Sequence, residues 1–259
     1  MNKIIALSGF IFLSIIAVAQ EKKLPAEAAT FVPRGFEMLD YIKGDLNADG
    51  KPDAILILKQ QAEDTSTADD LLRPLLILIR QANGKLKQEK KSDHIMLCKT
   101  CGGMMGDPYQ ETIIKANGFS ISFFGGSSWR WGVEYSFVYK PAKKNWFLKK
   151  QQEESFQEGD PEATTKKITI AEEELGEVSI DQLNSSPEPD DVKWRVTAAK
   201  TFFYDSPKLG SKTRKGYLLK GNEAGGIREL KNFVEVSFEN SNGQFTTGFV
   251  LKKDIEKIK

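Results

Sequence analysis

An all-β chain is what this sequence predicts: an N-terminal antiparallel β domain of two four-stranded meanders, propeller-blade or sandwich-like, followed by a small C-terminal β-barrel. Three observations carry that prediction. From Phe36 onward the apolar residues come in short bursts separated by Gly, Asn, Asp and Pro, without the spacing of amphipathic helices. In the stretch 129–139, Trp129, Trp131, Val133, Tyr135, Phe137 and Tyr139 recur at every second position, while Arg130, Glu134 and Ser136 face the other way, as in a half-buried strand. From Lys193 onward short strands recur at the close spacing of a small barrel.

The chain opens with Lys3, an apolar run at 4–17, and the small residues Ala17-Val18-Ala19 ahead of Gln20. That is the pattern of a cleavable signal peptide over 1–19, cut near Ala19, and the run is shorter than a membrane span requires. No cysteine stands at the cut to carry a lipid. The expectation is a secreted or periplasmic protein with no transmembrane segment after cleavage. Lys plus Arg number 37 against 36 Asp plus Glu, so no net field is available to hold a polyanion, and nucleic acid is not an expected partner.

In the domain expected at 20–184, residues 54–58 and 75–79 are apolar at every position, which reads as two central strands covered on both faces. Weaker strands at 36–43 and 85–91, the latter after an Asn83-Gly84 turn, complete the first meander. Strands at 112–116, 119–124, 129–140 and 146–152 form the second, with Asn117-Gly118 as a turn. Residues 157–191 are rich in Glu, Asp, Pro, Ser and Thr, poor material for a core. Their end, 185–191, reads as a linker, and 168–170 and 178–183 as a strand or helical turn added to the first domain. The barrel occupies 192–259, with strands at 194–198, 216–220, 233–239 and 246–250.

Asp45-Leu46-Asn47-Ala48-Asp49-Gly50-Lys51-Pro52-Asp53 places side-chain oxygens at relative positions one, three, five and nine, Gly at six, and the Lys51 carbonyl at seven. That is most of an EF-hand loop, but position twelve is Leu56 and a strand follows, which excludes a true EF-hand. Asp45, Asn47, Asp49, Lys51 and Asp53 are therefore candidate Ca²⁺ ligands with a structural role. The competing reading is an Asx-rich turn whose acids bond their own backbone. From residues 44–53 the loop resembles the calcium hairpins of FG-GAP and VCBS repeats, Gly-Asp-Leu-Asn-x-Asp-Gly-x-x-Asp. It occurs once, so the resemblance implies a single hairpin and not a full propeller.

His94, Cys98 and Cys101 form an H-x3-C-x2-C array followed by Asp107. A Cys98–Cys101 disulfide suits an exported protein, a Zn²⁺ or copper site of His94, Cys98, Cys101 and Asp107 has acceptable spacing, and a redox pair lacks the helix it would need. Trp129, Arg130 and Trp131 beside Gly125-Gly126 are a candidate ligand surface for sugar or peptide. The order of Cys98-x-x-Cys101-Gly102-Gly103, Gly106-Asp107-Pro108, the Gly125 to Trp131 segment and Trp146 resembles a group of uncharacterised exported bacterial proteins, which implies no activity. Phe203-Tyr204-Asp205-Ser206-Pro207, Tyr217-Leu218, Gly248-Phe249-Val250 and Asp254-Ile255 resemble bacterial Src-homology-3-like (SH3b) domains. That resemblance implies a cell-wall peptide or envelope protein as partner, with Tyr204, Tyr217 and Phe249 as groove residues.

The single histidine lies beside the cysteines, so no Ser-His-Asp or Cys-His set can be assembled elsewhere, and no Gly-rich loop opens a helix to hold phosphate. The expectation is a non-catalytic binding or scaffolding protein of the bacterial envelope. Its alternative is a secreted glycan or peptide hydrolase or inhibitor acting through the Trp129–Trp131 surface.

Overall fold

The computed structural model describes residues 23–65, 71–185 and 192–258. The expected leader and all of the expected linker except Ser185 lie outside the described residues. The described chain is nearly all β, in three antiparallel sheets, and none of its helices is long and apolar enough to cross a membrane.

The first sheet is a meander of β1 (Phe36–Gly44), β2 (Asp53–Gln60), β3 (Leu75–Arg80) and β4 (Leu86–Ser92), in that order. The unbroken apolar runs of β2 and β3 have the cause expected of them, because both faces of these strands are covered. Ala54, Leu56, Leu58, Leu76 and Leu78 pack under an N-terminal segment that carries Leu24, Ala28 and Phe31. Ile55, Ile57, Leu75, Ile77 and Ile79 enter the main core on the other side. Each fully buried Leu or Ile among them stabilises the fold by roughly 1.5–3 kcal/mol. Glu27 clamps the covering segment: its carboxylate accepts from the Tyr41 hydroxyl at 3.0 Å and the Arg80 guanidinium at 3.0 Å, and pairs with Lys43 at 2.7 Å.

The second sheet runs β5 (Tyr109–Lys115), β6 (Gly118–Gly126), β7 (Trp129–Lys140), β8 (Asn145–Gln157) and β9 (Lys166–Ala171). It has a fifth strand beside the four of the expected meander, at the segment 168–170 that the sequence leaves open to a strand or a helical turn. The reason is the length of β8, which continues to Gln157 and leaves residues 150–155 with an open edge that β9 pairs from Lys150↔Ala171 to Ser155↔Lys166. The acidic stretch after β8 therefore folds in part. Ile170, Leu175 in the short helix α1 (Glu172–Leu175) and Ile180 are all buried in the main core. The period-two face of β7 packs as its pattern predicts, with Tyr135 and Phe137 in that core and Trp131, Val133 and Tyr139 against it.

The third sheet follows the order β12-β11-β15-β14-β13-β10-β16, a curled half-barrel whose end strands do not pair with each other. Its strands are β10 (Lys193–Val196), β11 (Lys200–Tyr204), β12 (Thr213–Leu219), β13 (Glu223–Glu229), β14 (Phe233–Glu239), β15 (Phe245–Leu251) and β16 (Ile255–Lys257). One face closes on its own core of Trp194, Val196, Phe203, Leu218, Val234, Val236 and Val250. The opposite face of its middle strands carries Phe233 and Phe249, which belong to the main core together with the first two sheets.

Candidate functional site: an acidic hairpin tied to the main core

The bend between β1 and β2 is built by its acids. Asp45 Oδ1 accepts the amides of Asn47 and Asp49, both at 3.2 Å, and its Oδ2 accepts that of Gly50 at 2.8 Å. Asn47 Oδ1 accepts the Asp49 amide at 3.1 Å, and Asp49 accepts the Lys51 amide at 2.9 Å and its ammonium at 3.1 Å. Gly50 sits at φ 78, a left-handed conformation that glycine adopts without strain. Asp53, at the first position of β2, is fully buried and receives the Leu46 amide at 3.0 Å and the Arg80 amide at 2.8 Å.

One carboxylate oxygen from each of Asp45, Asp49 and Asp53 lies within 4.8 Å of the others, the group among the described residues that could hold a metal ion. The electrostatics of the three differ. Burial pushes the Asp53 carboxyl up; the amides of Arg80 and Leu46 oppose this, and the charges of Asp49 and Asp45 add to it. Burial also acts to raise Asp49, but the amide and ammonium of Lys51 outweigh it and hold that group below its ordinary value. A buried carboxylate made harder to ionise by two neighbouring acids is what a hard divalent cation relieves, and an all-oxygen donor set suits Ca²⁺. The backbone bonds are those of an Asx-rich turn. The acids bond their own backbone, and three of them still converge.

The hairpin is anchored to the second sheet. Trp146, fully buried in β8, donates its indole N–H to the Leu46 carbonyl at 3.0 Å, and Leu46 is itself fully buried. Gly44 lies so close to Ile114 of β5 that a Cβ there would stand 2.6 Å from the Ile114 side chain. The loop thus joins two sheets.

Cys98 and Cys101 are bonded to each other. A disulfide offers no thiolate, so the alternative in which both cysteines join His94 and Asp107 around zinc or copper is not the arrangement formed. Asp107 is engaged elsewhere, since both of its oxygens accept from Arg73, at 2.8 and 2.6 Å. Arg73 is almost fully buried and also forms a two-bond pair with buried Glu63, at 2.9 and 2.7 Å. Burial works against the Arg73 charge, and these two carboxylates more than restore it, raising its pKa above the ordinary value. His94 is exposed, and its carbonyl accepts both the amide and the hydroxyl of Ser185 at 3.0 Å.

The aromatic candidates part company. Trp129 stands half exposed next to the turn after β6, whereas Trp131 is half-buried against the main core, its ring close over Gly125. Arg130 is held by Glu158 at 2.7 Å and donates to the Gly126 carbonyl at 3.3 Å. In the half-barrel, Phe249 is buried in the main core, which removes it as a groove residue. Tyr204 meets Phe233 edge to face at 5.2 Å between ring centres, and Tyr217 is exposed with the Lys200 ammonium 3.6 Å from its ring centre.

Sequence reasoning missed the cleft where the second sheet meets the half-barrel. It encloses about 780 Å³ and is lined by Tyr135, Gln151, Glu153, Leu175, Arg228 and Glu235 among others. Arg228 donates to Glu153 at 2.7 Å and to Glu235 at 2.6 Å, and its buried Nε has no acceptor among the described residues. Burial, opposed by Arg228, pushes Glu235 up, and burial pushes the Tyr135 hydroxyl up to about 12. No signal in the sequence brings β8, β13 and β14 together.

Fold and site define an all-β protein of three antiparallel sheets with three carboxylates gathered at one hairpin. Set against known proteins, the chain matches no family model, no curated protein and no solved structure. The FG-GAP/VCBS and SH3b likenesses accordingly remain resemblances of motif.

Proposed function

We propose that the chain is an exported, non-catalytic binding or scaffolding protein of the bacterial envelope, cut near Ala19, with its first sheet stabilised by Ca²⁺. Asp45, Asn47, Asp49 and Asp53 and the Lys51 carbonyl are the ligands, and the ion holds the bend instead of doing chemistry. The observation that carries this reading is the convergence of three carboxylates, one fully buried, at the junction of two sheets.

The partner, a cell-wall peptide or an envelope protein, is seated at the half-barrel, and the cleft beside it favours a peptide. The charges of Arg228, Glu153 and Glu235 are spent on one another, while the buried Arg228 Nε–H is a donor that an entering carbonyl would satisfy. Sedimentation of the chain from residue 20 onward with insoluble peptidoglycan, in calcium and in chelator, tests it. Retention that weakens in chelator is expected. Protein left in the supernatant in both conditions contradicts a cell-wall partner. The half-exposed Trp129 keeps the alternative open, and hydrolysis of a glycan or peptide panel that Trp129→Ala abolishes would favour a hydrolase.

A further inference from the structure

The near-neutral charge of the whole chain conceals a local excess. Between positions 200 and 220 stand five lysines and one arginine against a single acid, Asp205. Arg214 consumes that acid at 2.6 Å and also donates to the Thr247 carbonyl. Lys200 lies over the Tyr217 and Phe202 rings, at 3.6 and 4.8 Å from their centres. Lys208, Lys212, Lys215 and Lys220 are exposed, and none has an acidic partner among the described residues. All of them belong to the β11–β12 hairpin, and β12 is the outer edge of the half-barrel sheet.

An edge strand uses lysine to discourage pairing with another chain, which accounts for Lys215. It does not account for the apolar side chains standing in water among the lysines. Leu209 is 62% exposed, Leu219 51% and Tyr217 47%. On β12 the alternate residue Leu218 fills the half-barrel core, so Tyr217 and Leu219 share the outward face. A soluble polyanion would satisfy the lysines and leave these apolar groups wet. A bilayer surface satisfies both, because anionic headgroups attract the ammonium groups while the boundary beneath them accepts Leu and Tyr.

We infer that the β11–β12 edge is a docking surface for an anionic phospholipid bilayer, with Lys208, Lys212, Lys215 and Lys220 against the headgroups and Leu209, Tyr217 and Leu219 in the interface. This is independent of the calcium hairpin and of any cell-wall partner.

The test is sedimentation of the chain from residue 20 onward, which keeps every described residue and omits the apolar leader, with vesicles of phosphatidylcholine alone or with roughly one-third phosphatidylglycerol. Binding only to the anionic vesicles, weakening as salt is raised, is expected. A lysine near such a surface contributes about fivefold in affinity, so Lys208→Glu, Lys212→Glu and Lys215→Glu together should lower partitioning at least ~100-fold. These residues are exposed, and an unchanged melting temperature confirms that the variant is folded. Leu209→Ser with Leu219→Ser should weaken vesicle binding severalfold and leave retention on a polyphosphate column unchanged. Equal binding to both vesicle types, no binding to either, or retention on polyphosphate without vesicle binding overturns the inference.

Discussion

Asp53→Ala separates what the acidic hairpin does for the fold from what it does for a metal. The carboxylate accepts two amides, those of Leu46 and Arg80. Leu46 is fully buried, so its N–H finds no water when the acceptor is removed. An orphaned donor of this kind costs about 1–3 kcal/mol, and the partly exposed Arg80 amide less. Removing a carboxylate that burial already makes hard to ionise returns part of this, leaving a net loss of roughly 1–3 kcal/mol in chelator. For a chain of this size that lowers Tm by about 2–4 °C per kcal/mol. Asp49→Ala removes only solvent-accessible loop bonds and should cost about 0.5–1 kcal/mol in chelator, yet remove the calcium response as fully as Asp53→Ala does. Urea denaturation of the wild type and both variants, in chelator and in millimolar calcium, measures each quantity. Asp53→Ala as stable as wild type in chelator, or Asp49→Ala keeping the full calcium gain, would refute the reasoning.

Other predictions concern the surrounding supports. The Lys43 ammonium, with Arg80 and Tyr41 and against a burial cost, holds Glu27 at about 2, below its ordinary 4.5. A depressed carboxylate stabilises the fold above 4.5, and the contribution is lost as pH falls through about 2. Glu27→Gln should cost about 0.5–1 kcal/mol at neutral pH, with its stability curve converging on wild type below that window; parallel curves would count against the clamp. Arg73→Ala leaves buried Glu63 uncompensated and should cost about 3–5 kcal/mol by chemical denaturation, whereas Arg73→Met with Glu63→Met should recover most of it. Cys98→Ser with Cys101→Ser opens only a small ring and should cost no more than about 2 kcal/mol, so a larger loss would mean that the disulfide holds more than its own loop.

The parts of this fold that were legible are those written locally. Residues 54–58 and 75–79 are apolar at every position because an N-terminal segment covers the face that a simple two-layer reading would leave wet, and the alternation of β7 reports one buried face. The convergence of Asp45, Asp49 and Asp53 follows from the spacing within a single turn. What escaped depends on meetings between distant segments. The charged context of Ile168 and Ile170 leaves strand and helical turn both open, and only pairing with the long β8 edge decides for a strand. Phe249 reads as a groove aromatic by its motif, but it lies on the half-barrel face that the main core covers. Arg73 gives no local sign of its burial, because its partners Glu63 and Asp107 come from other segments of the chain. The lysines of the β11–β12 edge cancel against acids elsewhere in a whole-chain sum, so a net charge near zero concealed a basic face.

The proposed function has Asp53 and its two neighbouring acids tolerate one another through a divalent cation. Isothermal calorimetry of the chelator-stripped chain with calcium measures it most directly. One saturable site is expected in the wild type and none in the Asp45→Ala, Asp49→Ala double variant. Flat heats in the wild type, or an undiminished site in that double variant, would contradict it.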